Sequence, residues 1–107
     1  MPLPEITHLQ FLVLASLLDG EQSGRFLRLK LDEIGERKSG PAFYQMMARL
    51  EDAGLVRGRY EQKIVEGQII KERRYRVTAA GHAACNQVYE FYHQRNEAFT
   101  KGGFASA

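Results

Sequence analysis

The stretch MMARLEDAGLVRGRY, residues 46–60, narrows the possible folds more than any other part of the chain. Its first half has helical spacing, with Met47 and Leu50 continuing a stripe begun by Phe43 at i, i+4 and i+7. Gly54 supplies the left-handed residue that ends a helix, and Leu55 can fold back onto the last turn. Directly afterwards Val56, Gly58 and Tyr60 alternate with Arg57, Arg59 and Glu61, which is the period of a strand. A helix that stops this abruptly must reverse the chain so that the strand lies beside it.

The strand has a partner. In IIKERRYRV, Ile69, Lys71, Arg73, Tyr75 and Val77 alternate with Ile70, Glu72, Arg74 and Arg76. Glu66-Gly67 between the two runs suits a hairpin tip. The spacing predicts a hairpin over about 55–77 with strands of about seven residues. Its charge is lopsided. From 57 to 76 there are seven cations (Arg57, Arg59, Lys63, Lys71, Arg73, Arg74, Arg76) against three acids (Glu61, Glu66, Glu72), whereas the whole chain has a formal net charge of +2. Distribution, not the total, points to an anionic partner.

Three helices precede the hairpin and one follows it. Thr7 and Gln10 form a capping-box pattern before HLQFLVLASLLDG, which Gly20 closes. This segment is apolar on more than one stripe, so it needs contacts on two sides, for which its own domain and a partner chain are the candidates. Ser23 caps a second helix over about 24–34, stopped by Gly35, with period-2 alternation at Leu27, Leu29 and Leu31 as the competing reading. Ser39 caps the third, about 40–53, with Pro41 in its first turn. Thr78 caps the last, about 79–99, and KGGFASA follows as a frayed tail. MPLPEI is a leader held extended by its prolines.

The expected fold is mainly α with a small β-hairpin, one domain over 1–107. The order helix, helix, helix, hairpin, helix is that of a winged helix-turn-helix. In that arrangement the third helix enters the DNA major groove and the hairpin lies along the backbone. The candidate DNA-binding residues are then Arg37, Lys38 and Ser39 before the third helix, and Pro41, Ala42, Tyr44, Gln45 and Arg49 on its face away from the apolar stripe. Lys63, Lys71, Arg73 and Arg74 are the candidates in the wing, although alternation sends Arg73 and Arg74 to opposite faces. Gln45 can read adenine, Arg49 can read guanine or hold a phosphate, and Lys38 with Arg37 can clamp a phosphate at the helix N-terminus. Each has a blander reading: Arg49 paired with Glu51 or Asp52, Lys38 in a solvated turn, the wing cations as a solvated face.

FYQMMARLEDAGLV also resembles the signature of PadR-type transcriptional regulators, with Tyr44, Met47, Arg49, Leu50, Glu51, Gly54, Leu55 and Val56 at its positions. RRYRVTAAG resembles that family's wing end, with Arg73, Tyr75, Thr78 and Gly81 in place and Val77 for the usual leucine. The resemblance spans about residues 9–95. It departs at Gly24-Arg25, where the family often has Gly-Tyr, and at GPAFY before the third helix. It implies a homodimer joined by the first and last helices (about 7–19 and 79–99), with Leu9, Leu12, Val13, Val88, Phe91, Tyr92 and Arg95 as interface candidates. It further implies a pseudo-palindromic double-stranded operator, and repression relieved by a small-molecule or stress signal whose identity the sequence does not give.

Other classes find less support. There is no P-loop, nucleophile elbow or His-Glu-x-x-His, so no enzyme is expected. His82 and Cys85 are one turn apart, but a four-ligand metal set is not visible, and no cofactor is expected. The longest apolar run, Phe11–Leu18, is short of the roughly 20 residues a membrane span needs. One cysteine, and no signal-peptide pattern, suit a cytoplasmic protein. The rival from another class is a winged-helix module that docks a protein, kept open by Glu51, Asp52, Glu61, Glu66 and Glu72 near the proposed DNA face.

Overall fold

A computed structural model describes residues 4–102. Its elements run α1 (His8–Ser16), β1 (Gln22–Ser23), α2 (Gly24–Glu33), α3 (Gly40–Asp52), β2 (Val56–Val65), β3 (Gln68–Val77) and α4 (Ala79–Gly102). The three strands form one antiparallel sheet in the order β1-β3-β2. This is a mainly α winged helix-turn-helix, as the order of sequence signals implies.

The local causes are those of the sequence. Thr7 Oγ1 accepts from the Gln10 N–H at 3.1 Å while Gln10 Oε1 accepts from the Thr7 N–H at 2.9 Å, closing the capping box of α1. Ser23 accepts from the Phe26 N–H and Ser39 from the Ala42 N–H, starting α2 and α3. Gly35 and Gly54 take φ of +80° and +74° and stop those two helices. Glu66 and Gly67 take φ of +52° and +80°, the two positive values that a tight hairpin turn between right-twisted strands requires.

Several boundaries move. The hairpin strands are ten residues each, because Ile64 and Ile69, and Val65 and Gln68, stay in register up to the turn. α1 ends at Ser16, and α4 continues to Gly102, so Lys101 and Gly102 belong to a helix and not to a frayed tail. The remainder of that tail, residues 103–107, and Met1–Leu3 of the proline leader lie outside the described residues. The short β1 is an addition. Gln22 and Ser23 pair with Tyr75 and Arg74, and two residues are too few to leave a period in a sequence.

Val13, Leu14, Leu17, Leu27, Leu31, Phe43, Met47, Leu50, Val56 and Tyr75 make the core, all at most 3% exposed. α3 therefore buries the stripe Phe43-Met47-Leu50, with Met46 beside it, against the root of the sheet. The opposite side of α3 is left in solvent. The first turn of α4 is fixed by Thr78. Its N–H donates to the Leu55 carbonyl at 3.0 Å, its hydroxyl donates to the Gly54 carbonyl at 2.6 Å, and the same oxygen accepts from the Gly81 N–H at 3.0 Å. The turn that ends α3 and the turn that starts α4 are thus one hydrogen-bonded unit.

Candidate nucleic-acid interface

The exposed face of α3 lies between two differently charged neighbours. On one side stands the wing. Pairing register puts Val56, Gly58, Tyr60, Gln62 and Ile64 on its inner face with Val77, Tyr75, Arg73, Lys71 and Ile69. The outer face carries Arg57, Arg59, Glu61 and Lys63 with Arg76, Arg74, Glu72 and Ile70. Arg73 and Arg74 do point opposite ways.

The middle of the outer face neutralises itself, while Arg57 and Arg76 at its base do not take part. Arg59 donates from Nε and Nη2 to the two oxygens of Glu21, at 2.7 and 3.0 Å. Arg74 lies within 3.3–3.7 Å of Glu72, Glu61 and Glu21, and Lys63 sits 2.9 Å from Glu72. The hydrogen bond from Arg59 holds the Glu21 carboxyl below its usual range, and Lys63 does the same for Glu72, with Arg74 helping and partial burial opposing in each case. On the inner face Arg73 is paired with Glu51 at 2.8 Å. Of the seven cations counted in this stretch, only Arg57, Lys71 and Arg76 lack an ion-pair partner among the described residues.

These shifts give a pH dependence with a definite sign. A carboxyl whose pKa is depressed by folding adds stability above its unfolded value, and that stability is lost as pH falls through the lower folded value. Glu72→Gln is therefore expected to lower the urea midpoint at pH 7, and the gap from the unsubstituted protein should close as the pH drops below about 4. A gap that persists in acid would mean that Glu72 acts by packing and not by charge.

On the other side of α3 lies the α2–α3 corner, where Arg25, Arg28, Arg37 and Lys38 line one hollow together with Leu29 and Asp32. None of these four cations has an ion-pair partner among the described residues; Glu33 and Glu36 pair with Lys30 and His8 instead. The Arg28 guanidinium lies 3.6–3.7 Å from where a Cβ on Gly40 would stand, so it sits against the first turn of α3. Arg37 and Lys38 were legible as candidates in the sequence. Arg25 and Arg28 were not singled out, although Arg25, Arg28 and Asp32 at i, i+3 and i+7 mark the polar stripe of α2 opposite Leu27 and Leu31.

Tyr44 joins the two sides. Its hydroxyl is 2.9 Å from where a Cβ on Gly24 would be, it meets Phe43 edge-on at 5.0 Å, and it lines a groove of about 470 Å³ with Ala48, Glu51, Tyr60, Lys71, Arg73 and Tyr75. Pro41, Gln45 and Arg49 are exposed, and Ala42 and Ser39 half or fully so, along the same side of the helix. Arg49 makes no ion pair with Glu51 or Asp52; Glu51 is turned toward Arg73.

At the far side of the molecule α1 and α4 enclose a mainly apolar cleft lined by Ile6, Phe11, Leu12, Val88 and Tyr92. Val13 and Val88 are turned into the protomer's own core, at 1% and 7% exposed. Of the interface candidates this leaves Leu9, Leu12 and Phe91, half-buried, Tyr92, exposed, and Arg95, whose guanidinium lies 3.4 Å over the Phe91 ring. Burial pushes the Cys85 thiol up, away from the reactive thiolate. His82 contacts Asn86, and no group of three His, Cys, Asp or Glu is placed to hold a metal among the described residues. No described helix is long and apolar enough to cross a membrane.

No protein-family model matches the chain, and no curated protein matches its sequence. Solved structures do match its shape. A PadR family transcription regulator from Clostridium difficile superposes with a TM-score of 0.73 over 89% of this chain and 97% of that one, at 15% identity. A PadR family transcriptional regulator from Eggerthella lenta gives a TM-score of 0.64 over 87% and 79%, at 26% identity. Bacillus subtilis PadR, solved in complex with operator DNA, gives 0.63 at 22% identity over 75% of this chain and 46% of that one.

Proposed function

We propose that this chain, which has the winged-helix fold of the PadR-family transcription regulators, is a sequence-specific DNA-binding transcriptional regulator acting as a cytoplasmic homodimer. The observation that carries this reading is the corner of four unpaired cations, Arg25, Arg28, Arg37 and Lys38, beside the first turn of a helix whose outer face is free. Backbone phosphates are the ligand such a corner suits, and they orient a helix without specifying sequence. Sequence is then read by α3, with Gln45 and Arg49 as the side chains able to form two-pronged hydrogen bonds to adenine and guanine. Pro41, Ala42 and Tyr44 supply contact along the same face, and Ser39 fixes the start of the helix. In the wing, Lys71 faces the α3 groove without a counter-ion and is the strongest phosphate candidate; Lys63, Arg73 and Arg74 are held by carboxylates.

The whole of 1–107 acts as one domain in this reading, with α1 and α4 joining two copies through Leu9, Leu12, Phe91 and Tyr92. A dimer places two recognition helices on a two-fold axis, so the operator is pseudo-palindromic with half-sites about one helical turn apart. Selection from a duplex pool with a randomised centre should recover such a site. Recovery of an asymmetric site, or of none, would count against the homodimer or against sequence reading. Light scattering at micromolar concentration should give twice the chain mass, and Tyr92→Glu should shift it toward the monomer; a monomeric mass for the unsubstituted protein would sink the dimer. Repression, with a small-molecule effector, is the regulatory sense we assign by analogy with the fold family.

The carboxylate network that neutralises Arg59, Lys63 and Arg74 on the outer face of the wing favours a second reading, a docking module for another protein. It differs in one respect that is easily tested: it gives no binding to random duplex even at low salt.

A further inference from the structure

At the root of the wing a carboxylate and a guanidinium meet across the gap between α3 and β3. Arg73 Nη2 donates to both oxygens of Glu51, at 2.8 and 3.0 Å. The two side chains are 24% and 29% exposed, and their residues are 22 apart in sequence. The Arg73 guanidinium also lies 4.7 Å from the centre of the Tyr60 ring and 5.5 Å from that of Tyr75. It is therefore flanked by two aromatic rings while its end is held by the carboxylate, an arrangement to which a planar cation is suited.

The pair takes its present position in space that a side chain at residue 58 would occupy. Gly58 lies on the inner face of β2, opposite Tyr75. A Cβ there would overlap Glu51 Oε1 and come within 2.6 Å of Arg73 Nη2. Its φ is not among the positive values of the chain, so the backbone conformation does not call for glycine. Glycine inside a strand weakens it, and its usual reason is a close approach by another group. Here that group is the ion pair.

An ion pair within one element stiffens that element alone. This one ties the last turn of α3 to the middle of β3. We propose that Glu51 and Arg73 form a strut that sets the stand-off of the wing from the recognition helix, with Gly58 as the gap that admits it, and that both are positioning residues and not DNA ligands. The consequence for DNA rests on the function proposed above; the strut itself does not.

Two variants separate the roles. Glu51→Gln removes an acid from the proposed DNA face and would tighten binding if Arg73 were a phosphate ligand restrained by its partner. Gly58→Ala changes no charge and fills the gap, while its strand propensity alone would stiffen β2, the opposite of the loosening expected. The strut predicts that both loosen the wing, seen as faster amide hydrogen exchange over residues 59–72 in the free protein with the α1 and α3 amides unchanged. It also predicts that both weaken binding to a labelled random duplex several-fold, against the electrostatic sign for Glu51→Gln, with the slope of log affinity on log salt unaltered. Unchanged wing exchange in both variants would overturn the strut. Tighter binding with a steeper slope for Glu51→Gln would make Arg73 a DNA ligand. If the unsubstituted protein binds no duplex, the DNA reading fails, and the exchange measurement still decides whether the strut positions the wing.

Discussion

Replacing Arg25, Arg28, Arg37 and Lys38 together by alanine will remove most of the salt-dependent affinity for duplex DNA. Each phosphate contact contributes about 0.9 to the slope of log affinity against log salt, so losing four per protomer flattens it by roughly 3.6 for each protomer bound. These residues are on the surface and unpaired, so the circular dichroism and urea midpoint should stay close to those of the unsubstituted chain. The contrasting variant is Lys63→Ala with Arg74→Ala. Those cations belong to the carboxylate network of the outer wing face, so it should leave the slope nearly unchanged while lowering wing stability. If the outer-face pair flattens the slope and the corner quartet does not, the phosphate grip lies in the wing after all.

The second large effect is on folding. Gly81→Ala should destabilise the protein by about 2 kcal/mol or more, as the overpacking of a rigid contact does. A Cβ at 81 would overlap the Leu55 carbonyl oxygen and lie 2.7 Å from Val77 Cγ2. That carbonyl already accepts the Thr78 N–H, so it cannot turn aside without loosening the junction of α3, wing and α4. The sign is informative because alanine is favoured over glycine in a helix, by up to about 1 kcal/mol in an interior and by less in a first turn such as this one. Propensity alone predicts a gain. A urea midpoint equal to or above that of the unsubstituted protein would show that α4 can slide to make room, and that the Gly54-Thr78-Gly81 unit does not fix its position.

The same junction shows how much the sequence could say. The glycine stop at 54, the hairpin tip at 66–67 and the caps at Thr7, Ser23 and Ser39 were all legible, because each is a local rule carried by a few adjacent residues. The buried stripe of α3 was legible for the same reason, since helical period decides it. What could not be read was pairing at long range. Seven cations against three acids in the 57–76 stretch looked like a phosphate-facing surface. Whether Arg59 meets a phosphate or Glu21 depends on a strand register and on a loop 38 residues away. The carboxylate that holds Arg73 sits on another element altogether. Arg25 and Arg28 carry no local signal either: they lie on the polar stripe of α2, and only folding brings that stripe next to Arg37 and Lys38. Gly58 read as one more alternating position, and its reason is a contact that no local pattern records.

The exposed branched residues at the wing tip, Ile64 and Ile69 directly opposite each other with Val65 and Ile70 on the other face, have a local explanation. Branched side chains paired across strands hold a hairpin together where no core supports it. They keep the ten-residue strands in register to the turn, and so carry Lys71 along the inner face toward the groove beside α3.

The most direct test of the account is fluorescence anisotropy of the purified protein against a labelled random duplex, titrated at low and at moderate salt. Tight binding at low salt that falls steeply as salt is added is the expected result, with the steepness set by Arg25, Arg28, Arg37 and Lys38. Binding absent at low salt, or indifferent to salt, would contradict it and leave the docking of a protein partner as the reading to pursue.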